Sequence, residues 1–502
     1  MSRYHYLRYP VVLWASVTHD RLPTFWHCAE RENMKQLLML LAALLAGCAS
    51  YTPKPLDPAV QGSAFGARSL DAPELKQFVE RSYGHELSSW PPKAWDRSML
   101  TLAALHFHPD LDTARARSQL AQAGVVTAGA RPNPTLGVSL QHNADASVDQ
   151  SPWTYGLGID LPIETAGKRT YRSERARHLA LAARFRENEA LWQVISGVRT
   201  SLLAAYPTDV LIRRQHGLQA EITHLLERRF AAGYLSQPEL TQARITLNQI
   251  TLTLAANQKQ RAENMARLAA AVGVPVKALE TAAISFESFE QVVPVSALPS
   301  DAMQREAMRS RPDILASLAE YEASQSALQL EVAKQYPDIS IGPGYSWDAG
   351  AVKWSLGLSL TLPLLNRNEG PIAEAEAHRK EAAGVFLATQ TKAIAEVELA
   401  LAGYGHAVRL FHIADALLRD QNKAERAAAA SFKAGESDRL AWLSSRYETV
   451  TAELARLSAL SQVQLTLGQL EDALRRPLGG NVLPAAVEQA VTPKPFNNRE
   501  QP

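Results

Sequence analysis

Cysteine is nearly missing, with two residues in a chain of 502. That excludes a scaffold stapled by disulfides and a zinc or iron–sulfur module built on several thiolates. Neither charge is in surplus: 52 Lys and Arg face 51 Asp and Glu, a formal net charge of +1. A nucleic-acid binder would need a basic excess to neutralise phosphates, so no nucleic-acid partner is expected. Beyond the N-terminal region no stretch is apolar over the roughly 18 residues that a membrane-crossing helix needs. Enzyme signatures are missing as well: there is no phosphate-binding glycine loop, nucleophile elbow, HExxH or Cys–His dyad in context. The acidic residues are spread over helical faces at the density of solvated surface, so no catalytic role and no cofactor is expected. Aromatic residues reach only 7%, and much of the 46% apolar content is alanine. Such a composition belongs to long helices more than to a compact mixed core.

The N-terminal region carries an address. In Met34–Ser50, MKQLLMLLAALLAGCAS, Lys35 precedes an apolar run and small residues follow it. This is the layout of a secretory signal, too short to span a membrane as a mature helix. Leu45-Ala46-Gly47-Cys48 resembles a bacterial lipobox, which implies that Cys48 is the lipidated first mature residue and that Met34 is the initiator. Ala49 after the Cys implies sorting to the outer membrane. The Pro-rich segment YTPKPLDP that follows reads as an extended tether.

The remainder is written twice. His108-Pro109-Asp110-Leu111 returns as Arg311-Pro312-Asp313-Ile314, about 203 residues on. Pro134, Pro162 and Gly233 return as Pro337, Pro363 and Gly435 at nearly the same offset. Four anchors in one order at one spacing mark a duplication.

Each copy contains two short runs with period two. From Trp153 to Leu161 every odd position is apolar and every even one is small or polar. In the second copy Trp354, Leu356, Leu358, Leu360 and Leu362 face one way, against Ser355, Gly357, Ser359 and Thr361. This alternation predicts strands with one apolar face, and a sheet packed on a soluble core would share it. Lengths of about 9–11 residues and a small, hydrophilic second face favour tilted transmembrane strands around a water-filled lumen. Trp153, Tyr155, Tyr345, Trp347 and Trp354 sit near strand ends, where an aromatic girdle would lie. Four strands cannot close a barrel, and an open edge in lipid leaves costly unpaired N–H and C=O groups. The chain must therefore share a barrel, with three copies giving twelve strands or two giving eight.

The helices are long. The first runs from about Gly167 to Phe230, where Pro207 should kink it. The second runs from Pro371 to Lys433 without a further proline, and Ile394, Val397, Leu401, Tyr404, Val408 and Phe411 form a 3–4 seam along it. Gly233 and Gly435 each end a long helix and mark a hairpin tip before a second helix returns.

Together with the lipobox and the duplicated helix–strand–strand–long helix–helix unit, the phrases RPNPTLGVSL, LPIETAGKR, LPLLNRNEGPIAEAEA and LEDALRRPL resemble the TolC-like outer-membrane efflux protein family over Ala94 to Leu478. LPLLNRNEGPIAEAEA is most similar to outer-membrane subunits of heavy-metal systems of the resistance–nodulation–division type. The resemblance implies a mainly α fold with a transmembrane β-barrel: a homotrimeric lipoprotein with a twelve-stranded barrel on a twelve-helix periplasmic α-barrel. It would be the exit duct of a tripartite pump, without chemistry of its own, with heavy-metal cations as the implied cargo. Its implied partners are a periplasmic adaptor, an inner-membrane pump and outer-membrane lipid. The implied tip residues, meeting the adaptor, are Gly233, Ser236, Glu239, Leu240 and Arg244 in copy one. In copy two they are Gly435, Ser437, Asp438, Leu440, Leu443 and Arg446. Many members have an Asp six residues after the tip glycine, forming an acidic aperture. Glu239 occupies that place here, whereas copy two has Ala441 there and Asp438 one turn earlier. His106 and His108 could share one side of an extended segment, but no carboxylate–His cluster supports a metal site.

The expected divisions are a non-native extension (1–33), the signal (34–47), a lipidated tether and equatorial segment (48–95), the first repeat (96–275), an equatorial linker (276–300), the second repeat (301–478) and a tail (479–502). Two other readings fit the same residues: a type I protein-secretion channel, and a periplasmic coiled-coil scaffold lipoprotein.

Overall fold

In the computed structural model, residues 51–144, 151–298, 301–348 and 350–478 are described, with 484 and 487. The signal segment and Cys48 lie outside the described residues. The chain falls into two units, 1–62 and 63–502. Of the first, the described part is residues 51–62, an exposed segment from Tyr51 and the opening turns of a short helix, α1 (Pro58–Gly66).

The second unit shows the duplication in its element order. Helix α2 (Pro73–Tyr83) precedes the first copy: α3 (Arg97–Phe107), α4 (Pro109–Gly129), β1 (Thr135–His142), β2 (Trp153–Ile163), α5 (Lys168–Ala204), α6 (Asp209–Ala231) and α7 (Gln237–Val272). After α8 (Val276–Glu280) comes the second copy: α9 (Asp301–Ser310), α10 (Pro312–Ala333), β3 (Ile339–Asp348), β4 (Ala351–Leu360), α11 (Glu369–Lys433) and α12 (Arg439–Leu474). Pro109 and Pro312 open α4 and α10 in the first turn, where a missing N–H leaves no bond unmade.

Pro207 does more than kink. It splits the expected first long helix into α5 and α6, with residues 205–208 outside both. The freed polar groups are met by α7. Asn264 donates to the Ala204 carbonyl (2.5 Å), Asn257 donates to Thr208 Oγ1 (2.8 Å), and Arg261 pairs with Asp209 (2.8 Å). The second copy has no such interruption, and α11 continues for 65 residues, a rise of about 100 Å.

The seam of α11 is shifted from its expected line. Val397, Tyr404, Val408 and Phe411 are buried, but Ile394 is 47% exposed, and Ala393 and Ala400 take inner positions. Alanine lets α11 and α12 approach closely, and Tyr404, Phe411, Val463 and Leu467 form one of the clusters between them. The linker lies across this pair. Tyr404 donates its hydroxyl to the Val293 carbonyl (2.5 Å), and Gln464 donates to the carbonyls of Phe289 (3.0 Å) and Gln291 (2.7 Å). Burial pushes the Tyr404 phenol up to about 12 despite that bond. A larger core joins α2, α3, α5 and the end of α7 through Leu75, Leu100, Leu102, Trp192, Leu202 and Leu268.

The four strands form one antiparallel sheet in the order β1-β2-β3-β4. β2 and β3 pair directly, so the hairpins of the two copies become one surface.

Candidate functional site

The register decides which side chains share a face, because residues opposite one another in an antiparallel pair project to the same side. Val138 lies opposite Leu157, Leu157 opposite Tyr345, and Tyr345 opposite Trp354. Leu161, Ile341 and Leu358 form a second such row. One face of the sheet is therefore apolar across its four strands. Among the described residues nothing covers it, and Val138, Trp354, Leu356 and Leu358 are 73–80% exposed. The expected aromatic residues gather on this face at the turn end, where Tyr155 meets Trp347 (5.6 Å between rings) and Tyr345 meets Trp354 (5.1 Å). Leu362 lies beyond the end of β4.

The other face is built from Gly137, Ser139, Gly156, Gly158, Ser340, Gly342, Gly344, Ser355, Gly357 and Ser359, with few charges. Among the described residues β1 and β4 each pair on one side alone, so both edges of the sheet offer free backbone groups.

At the far end of the long helices the two tips share one construction. Gly233 and Gly435 adopt φ of +79° and +78°, the left-handed conformation that glycine tolerates. The next N–H reaches back to the third-last helical carbonyl: Tyr234 to Arg229 (2.8 Å) and Glu436 to Ser431 (2.9 Å). The return helices start differently. In copy one Glu239 accepts from the Ser236 N–H (2.9 Å) and hydroxyl (2.6 Å), and those bonds hold its carboxyl below the usual range. In copy two Asp438 accepts from Arg229 (2.6 Å) and from the Ala441 N–H (2.8 Å), which lowers its carboxyl too. Both candidate gate carboxylates are exposed, and both cap a helix.

The other tip residues divide into surface and core. Ser236 and Arg244 are exposed, and Arg244 pairs with Glu227 (2.7 Å). Arg446 lies over the Trp442 ring (5.1 Å) and near Glu425 (3.7 Å). The Ser437 hydroxyl is buried without a partner among the described residues, and Leu440 is half-buried. Leu240 and Leu443 differ from the expectation of an adaptor contact: they are 2% and 0% exposed and have no side-chain surface to offer a partner. Leu443 instead joins Leu218 and Ile222 in the core between α6 and α12. Arg229–Asp438, Arg439–Glu221 and Arg214–Glu453 (3.2 Å) also tie these helices, one from each copy.

Sequence reasoning missed a buried polar hub in LEDALRRPL. Glu471, with no exposed surface, accepts from Arg97 (2.7 Å) and Arg199 (2.8 Å) through Oε2 and from the Leu478 N–H (2.8 Å) through Oε1. Asp472 accepts from Trp192 (2.9 Å), Ser196 (2.9 Å) and Arg199 (2.6 Å). Arg311, 1% exposed, donates to Asp313, to Glu396 (3.0 Å) and to the Ala473 carbonyl (2.7 Å). Burial raises the Asp313 carboxyl, but Arg311 outweighs it and the group lies below the usual range. The available signal was charge embedded in an otherwise apolar helix end.

His106 is helical rather than extended, and its ring lies 5.3 Å from Phe78. Burial lowers its imidazole pKa. His108 caps α4, its Nδ1 accepting from the Asp110 N–H (3.3 Å). Among the described residues no three His, Cys, Asp or Glu side chains converge as a metal site, and no helix is long and apolar enough to cross a membrane.

A family model described as outer membrane efflux protein matches residues 101–274 and 304–476. The pyoverdine export outer membrane protein OpmQ of Pseudomonas aeruginosa is 26% identical over 89% of this chain and 97% of its own. The cobalt-zinc-cadmium resistance protein CzcC of Cupriavidus metallidurans is 28% identical over 54% of this chain and 63% of its own. In fold, the chain is similar to the outer membrane protein VceC of Vibrio cholerae, with a TM-score of 0.61 and 20% identity over 75% of this chain and 95% of that one.

Proposed function

Because the chain belongs to the outer membrane efflux protein family, we propose that it is the exit duct of a tripartite efflux pump, working as a homotrimer. The observation that carries this reading is the uncovered apolar face of a sheet whose edges are both open. Lipid covers such a face, and lipid tolerates no unpaired edge. β1 of one copy pairs with β4 of the next until the wall closes. Eight strands would need side chains to fill the lumen. Glycine and serine are too small for that, so twelve strands around water fit this inner face better.

The duct is passive. A proton-driven inner-membrane pump supplies the energy, and an adaptor docks on the exposed tip surface around Gly233, Ser236, Glu239, Arg244, Gly435 and Asp438. Leu240 and Leu443 support that surface from within. Lipidation at Cys48 anchors the chain to the outer membrane. Heavy-metal cations are the proposed cargo, supported by the CzcC likeness and by LPLLNRNEGPIAEAEA. The broader likeness to OpmQ favours a second reading in which the cargo is a compound such as pyoverdine.

The test is assembly, conductance and export. Outer-membrane fractions should contain a heat-modifiable trimer that forms pores in planar bilayers, and deletion should raise cellular zinc, cobalt or cadmium. A monomer soluble without detergent would refute the duct. An intact pore whose loss leaves metal content unchanged would refute the metal cargo alone.

A further inference from the structure

We propose that Asp160 sets the ion preference of the pore, its copies forming a ring of unpaired carboxylates on the inner wall at the helical end of the barrel. The inference rests on the shared barrel proposed above.

Three observations place the group. Asp160 lies opposite Thr135 and so belongs to the small-residue face. Its Oδ1 lies 3.9 Å from where a Cβ on Gly342 would be, over the neighbouring strand's glycine on that same face. It is exposed, and among the described residues it has no hydrogen-bond or ionic partner.

The other charges of the sheet are neutralised in place. Asp348 and Lys353, near the turn between β3 and β4, pair at 2.6 Å, and Thr154 donates to the same carboxylate (2.8 Å). Just below the strands Glu164 pairs with Arg172 (2.5 Å) and Asp338 with Lys168 (2.8 Å). Arg131 and Arg367 lie in connections outside the strands. Among the described residues of the strands, Asp160 therefore supplies the uncompensated charge of the wall.

Magnitude follows from geometry. Twelve tilted strands spaced about 4.8 Å apart give a wall radius of about 12 Å. Three unit charges at that distance, screened by water and a Debye length of about 10 Å at 0.1 M salt, shift the cation-to-anion ratio on the axis about threefold. At 1 M the Debye length falls to about 3 Å and the effect vanishes.

Reversal potentials across a KCl gradient in planar bilayers test this with the full-length trimer. Asp160→Asn should lower the potassium-to-chloride permeability ratio about threefold at 0.1 M and leave it unchanged at 1 M. Asp160→Lys should push the ratio past the neutral variant, toward chloride. Asp348→Asn, which leaves Lys353 unpaired, should also move it toward chloride and shows that the face is read correctly. If Asp160→Asn and Asp160→Lys both conduct with the wild-type ratio at low salt, the ring is refuted and the duct stands. If the wild-type protein forms no pore, the duct reading fails, and the ring with it.

Discussion

The assignment of the two faces of the sheet is open to a direct test at adjacent residues. Leu356 is the sixth of ten residues in β4, lies opposite Pro343 and is 75% exposed. Ser355 projects to the other side, its hydroxyl 2.7 Å from where a Cβ on Gly344 would stand. In a closed barrel Leu356 meets the lipid near its midplane, where an arginine costs about 2–4 kcal/mol. Three copies contribute additively at well-separated sites, about 6–12 kcal/mol per trimer, comparable to the whole stability of a domain. Leu356→Arg should therefore abolish the heat-modifiable trimer in outer-membrane fractions. Ser355→Arg should leave the trimer in place, because water solvates the three guanidinium groups, and should instead reduce single-channel conductance. The reasoning is refuted if Leu356→Arg assembles normally while Ser355→Arg does not.

Further tests address other parts of the chain. Gly273 has φ +81°, and a Cβ there would stand 2.9 Å from the Phe107 carbonyl oxygen, whereas Gly233 has a similar φ and open surroundings. Gly233→Ala should cost about 1–2 kcal/mol from backbone strain alone, and Gly273→Ala distinctly more; equal shifts in helix melting by circular dichroism would deny the clash. Glu471→Ala leaves Arg97 and the buried Arg199 without their shared carboxylate, although Asp472 still holds Arg199. A loss of about 3 kcal/mol is expected in denaturant unfolding, and a change below about 1 kcal/mol would mean that water already enters the hub. At the tip, Arg229 depresses the Asp438 carboxyl, so its contribution is present at neutral pH and disappears as the pH falls through that lowered value. Fluorescence of Trp442, stacked 5.3 Å from Phe432, should change below about pH 4 in the wild type and lose that transition in Asp438→Asn; identical acid profiles would disconnect the pair from the tip.

The strands and the duplication were legible because both are written in simple periods: alternate residues for the sheet and one long offset for the copies. The tip glycines were legible because few other residues accept their backbone conformation. Depth on a helix was harder to read. Ile394 belongs to an apolar repeat yet is exposed, since a helix with several neighbours presents more than one stripe and alanines decide which approaches most closely. Leu240 and Leu443 fall within a tip motif but project inward, a distinction that a linear motif does not encode. Glu471 and Arg199 escaped notice because their ionic partners are distant in sequence, and Arg311 because only Asp313 stands near it while Glu396 and the Ala473 carbonyl lie far along the chain.

Pro207 makes the two copies mechanically unequal. One hairpin has a joint near its middle, clasped by Asn257, Asn264 and Arg261 of the return helix, while its counterpart is an unbroken strut of 65 residues. A push delivered at the tips would be carried along the strut and partly taken up at the joint. Around a closed ring, stiff and yielding staves would then alternate, and leverage from a docked partner would bend every second one first.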